Sequence, residues 1–460
     1  MSTTQHVKAR IRSRRPVVAD MVRRTLAGIA DGRFERLPVT LRFWDGSVLE
    51  SVRADAPVVD VRDTSAIGHL LHAPNQIGLA RAWVSGGLAV ADDSELEAVL
   101  RLRGEFGTLA LTAAERVRLV AAAVRVAGPA VLRRPPVPAI EARRPGRLHS
   151  LGRDRAAIEH HYDVSNAFYR LLLGPSMVYS CAYFDHPGES LDAAQERKLD
   201  LICRKLRLAP DERLLDIGCG WGSLLIHAAE RYGVRGVGVT LSPSQAALAR
   251  ERIAAAGLAD RIEIRVQDYR EIRDDPFDKI ASVGMYEHVG RAELQHYAET
   301  LHSLLRPGGL VLNHGIARLH SEPPPPDTFL TRYVFPDGEL HPVTDVMGAM
   351  QVAGLEVRDV ESLREHYTLT LRGWLANLAA RRTQAQAEIG SAREAVWRLY
   401  MLGSALGFEA GDITVYQVLG TRAGADHELP LRRAQWLRER SHGASHNARA
   451  RGGRCSNVSA

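Results

Sequence analysis

The sequence predicts an α/β protein whose larger, C-terminal unit is a doubly wound parallel sheet and whose smaller, N-terminal unit mixes strands and helices. Three observations support this prediction: strand-like and helix-like segments alternate between residues 213 and 317, a glycine-rich loop follows the first of these strands, and all periodicity breaks at residues 131–150. Such alternation is typical of parallel sheets covered by helices on both faces. We therefore predict an N-terminal domain and linker at 1–145, a second domain at 146–430 and a basic, disordered tail at 431–460.

Length and composition limit the class of protein. The chain has 460 residues, of which 45% are hydrophobic and 25% charged, as in folded globular domains. At about 150 residues per domain, two or three domains are expected. Its four cysteines form no Cys-x-x-Cys pair, so neither a disulfide framework nor a metal site is expected. The basic N-terminus precedes no apolar segment, and the apolar stretch at 119–132 is broken by Arg125, so we expect a cytoplasmic protein.

The net charge of +6 is distributed unevenly along the chain. Counting Lys and Arg against Asp and Glu, residues 1–150 carry +8, residues 151–430 carry −8 and residues 431–460 carry +6, which add to +6. Two basic flanks around an acidic centre favour an anionic partner, either phospholipid headgroups or nucleic acid. The simpler alternative is that the flanks only keep the protein in solution.

The N-terminal unit begins with strands and continues with helices. Within the run of short strands at 38–90, the segment LPVTLRFWDGSVLE places a Trp-Asp-Gly turn between two apolar runs and predicts a hairpin. The segment at 91–103 has acidic residues in its first turn and basic residues at its end, which favours a helix. Residues 112–127 predict a second helix, and residues 131–150 place four prolines among arginines and predict a linker.

The second unit alternates strands and helices as far as residue 317. We predict five strands, at residues 213–217, 234–241, 261–268, 277–285 and 309–317. The segments between them, such as SLLIHAAERYG and SPSQAALARERIAAAG, have helical periodicity. The proline-rich segment 321–328 then leaves the last strand as a stiff excursion. In a sheet of this kind, ligands bind at the carboxyl ends of the strands.

The segment LLDIGCGWGS is a glycine loop between an apolar strand and a helix. Gly218, Gly220 and Gly222 permit a tight turn and allow the backbone to approach a ligand at the helix N-terminus. The GxGxG spacing fits a dinucleotide poorly, and the absence of a following Gly-Lys-Ser/Thr disfavours a P-loop. Together with the preceding Asp216, the compact loop suits S-adenosylmethionine, which carries an amino acid and a ribose. The alternative is a turn that only packs the strand on the helix.

The next two strand ends carry further polar residues. After the second strand an acidic residue commonly binds the ribose, but here the polar candidates are Thr240, Ser242 and Gln245. The third strand ends in Gln267, Asp268 and Tyr269, which are well placed for an adenine edge. Each of these positions is weak support alone, but their order along an α/β chain strengthens the prediction of a nucleoside cofactor.

Several further segments support a family resemblance. They are HHYDVSNAFYRLLLGPSMVYSCAYF, TLSPSQ, QDY, MYEHVG, NHGI and YVFPDGEL. From about residue 155 to 420 the chain resembles the cyclopropane-fatty-acyl-phospholipid synthases, which are related to the mycolic acid cyclopropane synthases. Residues 38–110, including AWVSGGLAVAD, look more loosely like the lipid-binding N-terminal domain of the full-length bacterial synthases. The resemblance implies a Rossmann-like S-adenosylmethionine-dependent methyltransferase domain with a smaller α+β lipid-binding domain.

The resemblance also implies an activity and its residues. Members of the family transfer the methyl group of S-adenosylmethionine to a cis double bond in an acyl chain of a phospholipid. The implied cofactor positions are Tyr179, Ser180, Gly218, Cys219, Gly220, Thr240, Leu241, Ser242, Gln245, Gln267, Asp268 and Tyr269. The implied bicarbonate site comprises Cys181, Glu287, His314, the backbone of Ile316, and Tyr367. The order NHGI departs from the His-Thr-Ile of many relatives but keeps the spacing of His314 and Ile316.

The chemistry sets further requirements. An alkene is a weak nucleophile, so the methyl group must be aligned with the π bond, and the carbocation that results must be kept from water. We therefore expect an apolar channel, with the aromatic candidates Tyr162, Phe168, Tyr169, Phe184, Tyr286 and Tyr333. A base that removes a proton from the transferred methyl closes the cyclopropane ring. Loss of a proton from a neighbouring carbon gives a methylene chain or, after reduction, a methyl-branched chain instead, and the sequence leaves this choice open.

Three other functions share some of these features. A small-molecule O- or N-methyltransferase needs the glycine loop but not the HYDVSNAFY and YSCAYF segments. A catalytically silent lipid-binding protein would not need Glu287, His314, Cys181 and Tyr367, although each has a structural reading as a helix cap or core residue. The third is a nucleic-acid methyltransferase. We expect no nucleic-acid partner, because the basic flanks lack interleaved aromatic residues. We expect peripheral association with the inner face of the membrane and a preference for anionic lipids, and a homodimer is compatible with the sequence.

Overall fold

The computed structural model describes residues 17–27, 37–102, 112–142, 146, 148–162, 164–319, 327–424, 426–427 and 429–437, apart from the side chains at 159 and 160. Three sequence predictions therefore lie largely outside the described residues. They concern the basic N-terminal stretch, the proline-rich segment 321–328 and the greater part of the tail at 431–460. No helix in the described ranges has both the length and the apolar character needed to cross a bilayer.

The N-terminal unit is a four-stranded sheet with five helices. Its elements are α1 (Val18–Ala27), β1 (Thr40–Phe43), β2 (Val48–Leu49), β3 (Val58–Val61), α2 (Thr64–His72), α3 (Gln76–Val84), β4 (Leu88–Ala89), α4 (Asp93–Arg101) and α5 (Ala113–Ala127). The strands are ordered β2-β1-β3-β4, and β1 pairs antiparallel with β2, which confirms the predicted hairpin. The two predicted helices begin after side-chain caps, because Asp92 accepts from the Glu95 amide and Thr112 forms a capping box with Glu115.

The larger unit is a seven-stranded sheet covered by helices on both faces. Its first half contains α6 (Leu151–Tyr162), α7 (Asn166–Leu173), α8 (Leu191–Lys205), β5 (Arg213–Ile217), α9 (Ser223–Tyr232), β6 (Arg235–Thr240), α10 (Pro243–Ala255), β7 (Ile262–Val266) and β8 (Phe277–Val283). Its second half contains α11 (Leu294–Leu304), β9 (Leu305–Arg318), α12 (Phe329–Tyr333), α13 (Val343–Val352), β10 (Leu355–Ser362), α14 (Arg364–Ala380), α15 (Arg382–Ile389), α16 (Ser391–Ala410), β11 (Ile413–Arg422) and α17 (Arg433–Trp436). All five predicted strands are present.

One strand differs from the predicted parallel sheet. The order is β10-β11-β9-β8-β5-β6-β7, and β11 runs antiparallel to both of its neighbours. The long helices α14 and α16 return the chain to the edge of the sheet where the other strands end, so β11 starts there and must run in the opposite direction. Ile413, the first residue of β11, accordingly pairs with Arg318, the last residue of β9.

Residues 131–150 do not form a free linker. Glu141 is buried, and its carboxylate accepts two hydrogen bonds from the Arg81 guanidinium at 2.8 and 2.7 Å. The Tyr333 hydroxyl donates to the same carboxylate at 2.9 Å. This contact joins helix α3, the linker and helix α12, because a buried carboxylate needs such partners. The predicted linker is therefore part of the packed structure at this point.

Further contacts attach the N-terminal unit to helices α15 and α16. The Trp83 indole donates to the Ala395 carbonyl at 3.0 Å. Asp93 accepts from Arg382 at 2.9 Å and from Arg398 at 2.6 Å. The fold also continues past residue 430, where the tail was predicted to begin: Trp436 of α17 is buried in the core of the larger unit.

We expect Glu141→Gln to destabilise the protein by about 3–5 kcal/mol, because it leaves the buried Arg81 guanidinium without its counter-charge. The matched control is Asp60→Asn, which breaks a similarly bidentate pair with Arg42, whose side chain is 54% exposed. This control should cost far less than the loss of the buried pair, because water screens the exposed charges. Urea unfolding measures both losses, and equal small losses would contradict a structural role for the buried pair.

Candidate active site

A single large cavity connects the two units. Its volume is about 1920 Å³, and it extends from the carboxyl ends of β5, β6, β7, β8 and β9 into the N-terminal unit. There it is bordered by apolar side chains, among them Leu26, Leu41, Val61, Leu70 and Leu119. Pockets for one small ligand usually measure about 300–1,000 Å³. This cavity therefore has room for more than one ligand.

The glycine loop forms one wall of the cavity at the end of β5. The amides of Gly218 and Cys219 both donate to the Val239 carbonyl, at 2.9 and 3.0 Å, which ties the loop to β6. Gly218 has a φ of +78°, and a Cβ there would lie 2.8 Å from Met285 Cγ. At Gly220, with a φ of +53°, a Cβ would meet no atom within 4 Å and would point into open space. The loop thus leaves its backbone accessible to a ligand.

Of the residues predicted at the end of β6, some border the cavity and one only stabilises the backbone next to it. Thr240, Leu241 and Gln245 border the cavity, and the Thr240 hydroxyl donates to Gln245 Oε1 at 2.8 Å. Ser242 is fully buried and caps α10, since its hydroxyl accepts from the Gln245 amide at 3.2 Å. Gly222 is the residue before α9. Neither Ser242 nor Gly222 borders the cavity, so we assign both to the geometry of the site and not to ligand contact.

The end of β7 brings Gln267, Asp268 and Tyr269 to the cavity, as the sequence predicts. Asp268 is already engaged: its carboxylate accepts from the Arg270 guanidinium at 2.9 and 2.8 Å, and Arg270 also pairs with Asp154 at 2.9 Å. Burial raises the pKa of Tyr269, so its phenol stays protonated. The groups left for a nucleoside here are therefore the backbone, the Gln267 amide and the Tyr269 ring.

Tyr179 and Ser180 reach the cavity from the segment between α7 and α8. The Tyr179 hydroxyl lies 3.1 Å from His161 Nε2 and donates to the Tyr400 hydroxyl at 3.2 Å. Ser180 Oγ accepts from Lys198 Nζ at 2.8 Å. The predicted cofactor residues on this side are thus fixed by His161, which lies in the first quoted segment, and by Lys198 and Tyr400, which lie outside all of them.

The predicted anion-site residues converge on the same cavity. Glu287 Oε1 accepts from the Ile316 amide at 2.8 Å, whereas Glu287 Oε2 is buried without a partner among the described residues. His314 Nδ1 lies 3.1 Å from Gln417 Nε2, and His314 Nε2 likewise has no partner in the described ranges. Because the Ile316 amide is used by Glu287, a backbone contact from Ile316 to a ligand would fall to its carbonyl oxygen.

Burial fixes the protonation of this cluster. It raises the pKa of Glu287 to about 7 and raises those of the Cys181 thiol and the Tyr367 phenol well above their ordinary values. It lowers the pKa of His314, so the ring is neutral. An amide NH₂ can only donate, so Gln417 leaves the proton of His314 on Nε2. The cluster therefore presents phenol and imidazole donors, with Glu287 half protonated near neutral pH. The Cys181 thiol already donates to the backbone carbonyls of Ala182 and Leu363, at 3.2 and 3.6 Å.

The aromatic lining differs from the prediction. Of the six candidates only Tyr162 borders the cavity. Phe168 and Tyr169 are fully buried behind it, Phe184 packs in a separate small cluster, Tyr286 packs against Gly315, and Tyr333 binds Glu141.

Other aromatic residues provide the wall instead. They are Tyr179, Phe335, Tyr367, Tyr400 and Phe408. Two of them lie on one face of α16, where Tyr400, Gly403, Ser404 and Phe408 all border the cavity. Their three-to-four-residue spacing is the sequence feature by which this helix face could have been predicted.

Comparison with known proteins places the chain in a family. The profile of the family described as mycolic acid cyclopropane synthetase matches residues 149–418, more than half of the chain. The chain belongs to this family. It is 40% identical over 410 residues to a probable fatty acid methyltransferase of Pseudomonas putida, covering 88% of this chain and 96% of the relative. It is 32% identical over 449 residues to the tuberculostearic acid methyltransferase of Mycobacterium tuberculosis, covering 92% and 99%.

A solved structure of the family is also similar. The mycolic acid cyclopropane synthase CmaA1, complexed with S-adenosylhomocysteine and CTAB, matches with a TM-score of 0.55 and 33% identity, covering 58% of this chain and 98% of that chain. The predicted Rossmann-like methyltransferase fold is confirmed. The protein is an S-adenosylmethionine-dependent methyltransferase of the cyclopropane synthase type, and its family methylates lipid acyl chains.

We expect Gly220→Val to abolish measurable binding of S-adenosylhomocysteine while the fold survives, because the new side chain occupies the open space beside the loop. The matched control is Gly257→Val at the end of α10, where φ is +69° and no atom lies within 4 Å of a Cβ. Both variants carry the strain of a positive φ, but Gly257 does not border the cavity. Calorimetry reports binding and thermal unfolding reports the fold; unchanged affinity in Gly220→Val would remove the loop from the cofactor site.

The raised pKa of Glu287 predicts a pH effect on the ligand-free protein. Between about pH 5 and pH 8 the folded state holds the Glu287 proton that the unfolded chain has lost, so stability falls as the pH rises. Relative to Glu287→Gln, the wild type should lose up to about 3 kcal/mol over this range. Urea unfolding at both pH values measures it, with the exposed Glu230→Gln as control. Parallel curves for wild type and Glu287→Gln would show that Glu287 ionises freely.

Proposed function

We propose that the enzyme transfers the methyl group of S-adenosylmethionine to a cis double bond of an unsaturated acyl chain in a membrane phospholipid, giving a cyclopropane acyl chain. One observation carries this proposal. The glycine loop and the buried cluster around Glu287 and His314 open on one cavity whose remaining walls are mainly apolar and aromatic. A small polar substrate would not need such walls, whereas an acyl chain does.

The residues at the loop fit S-adenosylmethionine. The Asp216 carboxylate is 2% exposed and opens on the cavity, and Gly220 leaves room for a ligand against the backbone. In the proposed site the nucleoside is held by Gly218 to Gly220, Thr240, Leu241, Gln245 and Gln267 to Tyr269. Tyr179 and Ser180 complete the site from the segment between α7 and α8. When bound, the cofactor supplies an electrophilic methyl group on a sulfonium.

The cluster around Glu287 fits a small oxyanion such as bicarbonate. His314 Nε2 is a buried donor without a partner in the described ranges, and the raised pKa of Tyr367 keeps its phenol proton in place. The Cys181 thiol, which donates to the Ala182 carbonyl at 3.2 Å, would exchange that bond for one to the anion. Buried donors of this kind are satisfied by an acceptor anion. Bound bicarbonate would supply the base. Glu287 orients it and, through its half-protonated carboxyl, can give or take a proton at Oε2.

The walls of the cavity have a second task. Methyl transfer leaves positive charge on the acyl chain, and the rings of Tyr162, Phe335, Tyr400 and Phe408 can face this charge while excluding water. Burial keeps the Tyr162 and Tyr400 phenols protonated, since it raises both pKa values, so neither becomes a competing nucleophile.

A methylene or methyl-branched product is the second candidate. It is favoured by the relatives that cover about nine-tenths of this chain, which are fatty acid methyltransferases, one of them named for tuberculostearic acid. Both products need S-adenosylmethionine and the same cavity, and a methyl-branched chain also needs a reductant that reduces the methylene group after the transfer. They differ in the carbon that loses its proton, which depends on how the acyl chain lies relative to the base.

Product analysis separates the two. The enzyme is expressed in a host that makes oleate, and membrane lipids are examined by mass spectrometry with fragmentation of the acyl chain. We expect phospholipid acyl chains that have gained one CH₂ unit as a ring at the former double bond. A chain with an exocyclic methylene or methyl branch would replace the cyclopropane assignment with the second candidate, and unmodified acyl chains together with methylated small molecules would overturn both.

We expect Glu287→Gln to lower turnover at least about tenfold with cofactor affinity unchanged, because the amide keeps the shape of the side chain but cannot exchange a proton at Oε2. Turnover on unsaturated phospholipid vesicles and calorimetry with S-adenosylhomocysteine measure the two effects. Removing bicarbonate from the buffer should lower the activity of the wild type. Equal activity in depleted and replete buffer would rule out bicarbonate as the base.

We further propose that the mouth of the cavity docks on an anionic membrane surface. Leu79 and Leu330 border the cavity and are 51% and 40% exposed, and the exposed Arg116 lies at the same cavity. Exposed apolar side chains and basic charge that border one cavity suit a leaflet from which an acyl chain must enter. The basic flanks of the sequence would add long-range attraction.

Binding to vesicles with anionic lipid should therefore weaken steeply with salt, and binding to neutral vesicles should be weak throughout. Leu79→Asp and Leu330→Asp should reduce co-sedimentation without changing affinity for S-adenosylhomocysteine. The control is Val352→Asp, an apolar residue that is 77% exposed and does not border the cavity. Salt-independent binding to both kinds of vesicle would show that charge has no part in docking.

A further inference from the structure

Lys198 is a buried cation that has no direct counter-charge in the described part of the chain. It is 2% exposed, lies on the inner face of α8 and borders the cavity. Its Nζ donates to Ser180 Oγ at 2.8 Å. No carboxylate oxygen of a described residue lies within 4.0 Å of Nζ. An ammonium has three protons to donate, and its burial is unfavourable unless an anion is near.

Asp216 faces the same region with the opposite charge. It is also 2% exposed, and no described group donates a hydrogen bond to its carboxylate. Burial raises the pKa of Asp216 to about 7, and the charge of Lys198 opposes this. The two side chains are therefore close enough to interact but too far apart to pair. A buried cation and a buried anion separated at a cavity wall match a ligand that carries both charges.

We propose that Lys198 binds the α-carboxylate of S-adenosylmethionine while Asp216 binds its α-ammonium. The amino-acid end of this cofactor is a zwitterion, so it satisfies both buried charges at once. Ser180 orients Lys198 by accepting its hydrogen bond, which gives a physical role to a residue that the family resemblance implies only as a cofactor contact. The inference rests on the proposed function for the location of the cofactor.

The small oxyanion proposed next to Glu287 is a second negatively charged ligand that Lys198 could bind. Lys198 also acts on this cluster, because its charge lowers the pKa of His314 and interacts with Cys181. A lone anion beside Lys198 would, however, be repelled by Asp216, whereas a zwitterion is attracted by both groups. The geometry thus favours the cofactor, and the experiment is designed to separate the two sources.

The test compares Lys198→Met with the wild type by calorimetry. The ligands are S-adenosylhomocysteine and its decarboxylated analogue, at the same pH and without lipid. We expect the variant to lose affinity for S-adenosylhomocysteine by roughly tenfold to a hundredfold, the size typical of a lost hydrogen bond between charged groups, and to bind the analogue within about twofold of the wild type. The matched control is Lys279→Met. Lys279 is equally buried, lies 3.6 Å from Glu212 and does not border the cavity, so both affinities should persist.

Each other outcome overturns the assignment. Equal loss for both ligands would mean that Lys198 only supports the structure. Unchanged binding of both, with a higher bicarbonate concentration needed for half-maximal turnover, would place Lys198 at the oxyanion. Should Lys198→Met fail to fold, the wild type still decides, because equal affinity for the two ligands excludes a charged partner for the carboxylate. Binding is measured without lipid, so a wrong product assignment would leave this result intact.

Discussion

Exclusion of water from the carboxyl edge of the large sheet is the constraint on which the site depends. The pKa values of the cluster are shifted by burial and not by any unusual side chain. This holds for Glu287, His314, Cys181 and Tyr367. The same burial lowers the pKa of Lys198 to about 8 and raises that of Asp216 to about 7, and neither side chain has a direct ionic partner among the described residues. A cavity open to water would return each group to its usual pKa, and the cluster would lose its ability to receive an anion.

The dry cavity is built by both parts of the chain. The family profile covers residues 149–418, but the cavity extends to residues of α1, α2 and α5. The N-terminal unit therefore supplies part of the apolar wall of the cavity and is more than an appended module. Its attachment is specific: Arg81, Glu141 and Tyr333 form a buried polar contact, and Asp93 accepts from two arginines of the catalytic unit.

The sequence predicted the parts of the fold that depend on local pattern. All five strands, the glycine loop and the hairpin leave periodic or turn-specific traces, and the candidate residues after each strand meet because parallel strands end at one edge. It could not predict β11, whose direction follows from how α14 and α16 pack. It could not predict the aromatic wall either, because the sequence pattern is the same for an aromatic residue behind the cavity, such as Phe168, and for one that borders it, such as Phe335. Lys198 could not be predicted for a related reason, because a single lysine on a helix has no distinguishing sequence feature until its neighbours in the fold are known.

The contact between Asp93 and Arg398 joins residues separated by 305 positions. During synthesis the N-terminal unit emerges long before α16 exists to cover it. At about 5–20 residues per second, a ribosome needs roughly 15–60 s to make the intervening chain. For that interval the apolar residues destined for the cavity, such as Leu70 and Leu119, are exposed on a nascent chain. The shared cavity therefore lacks part of its wall on the nascent chain until the last long helix is complete.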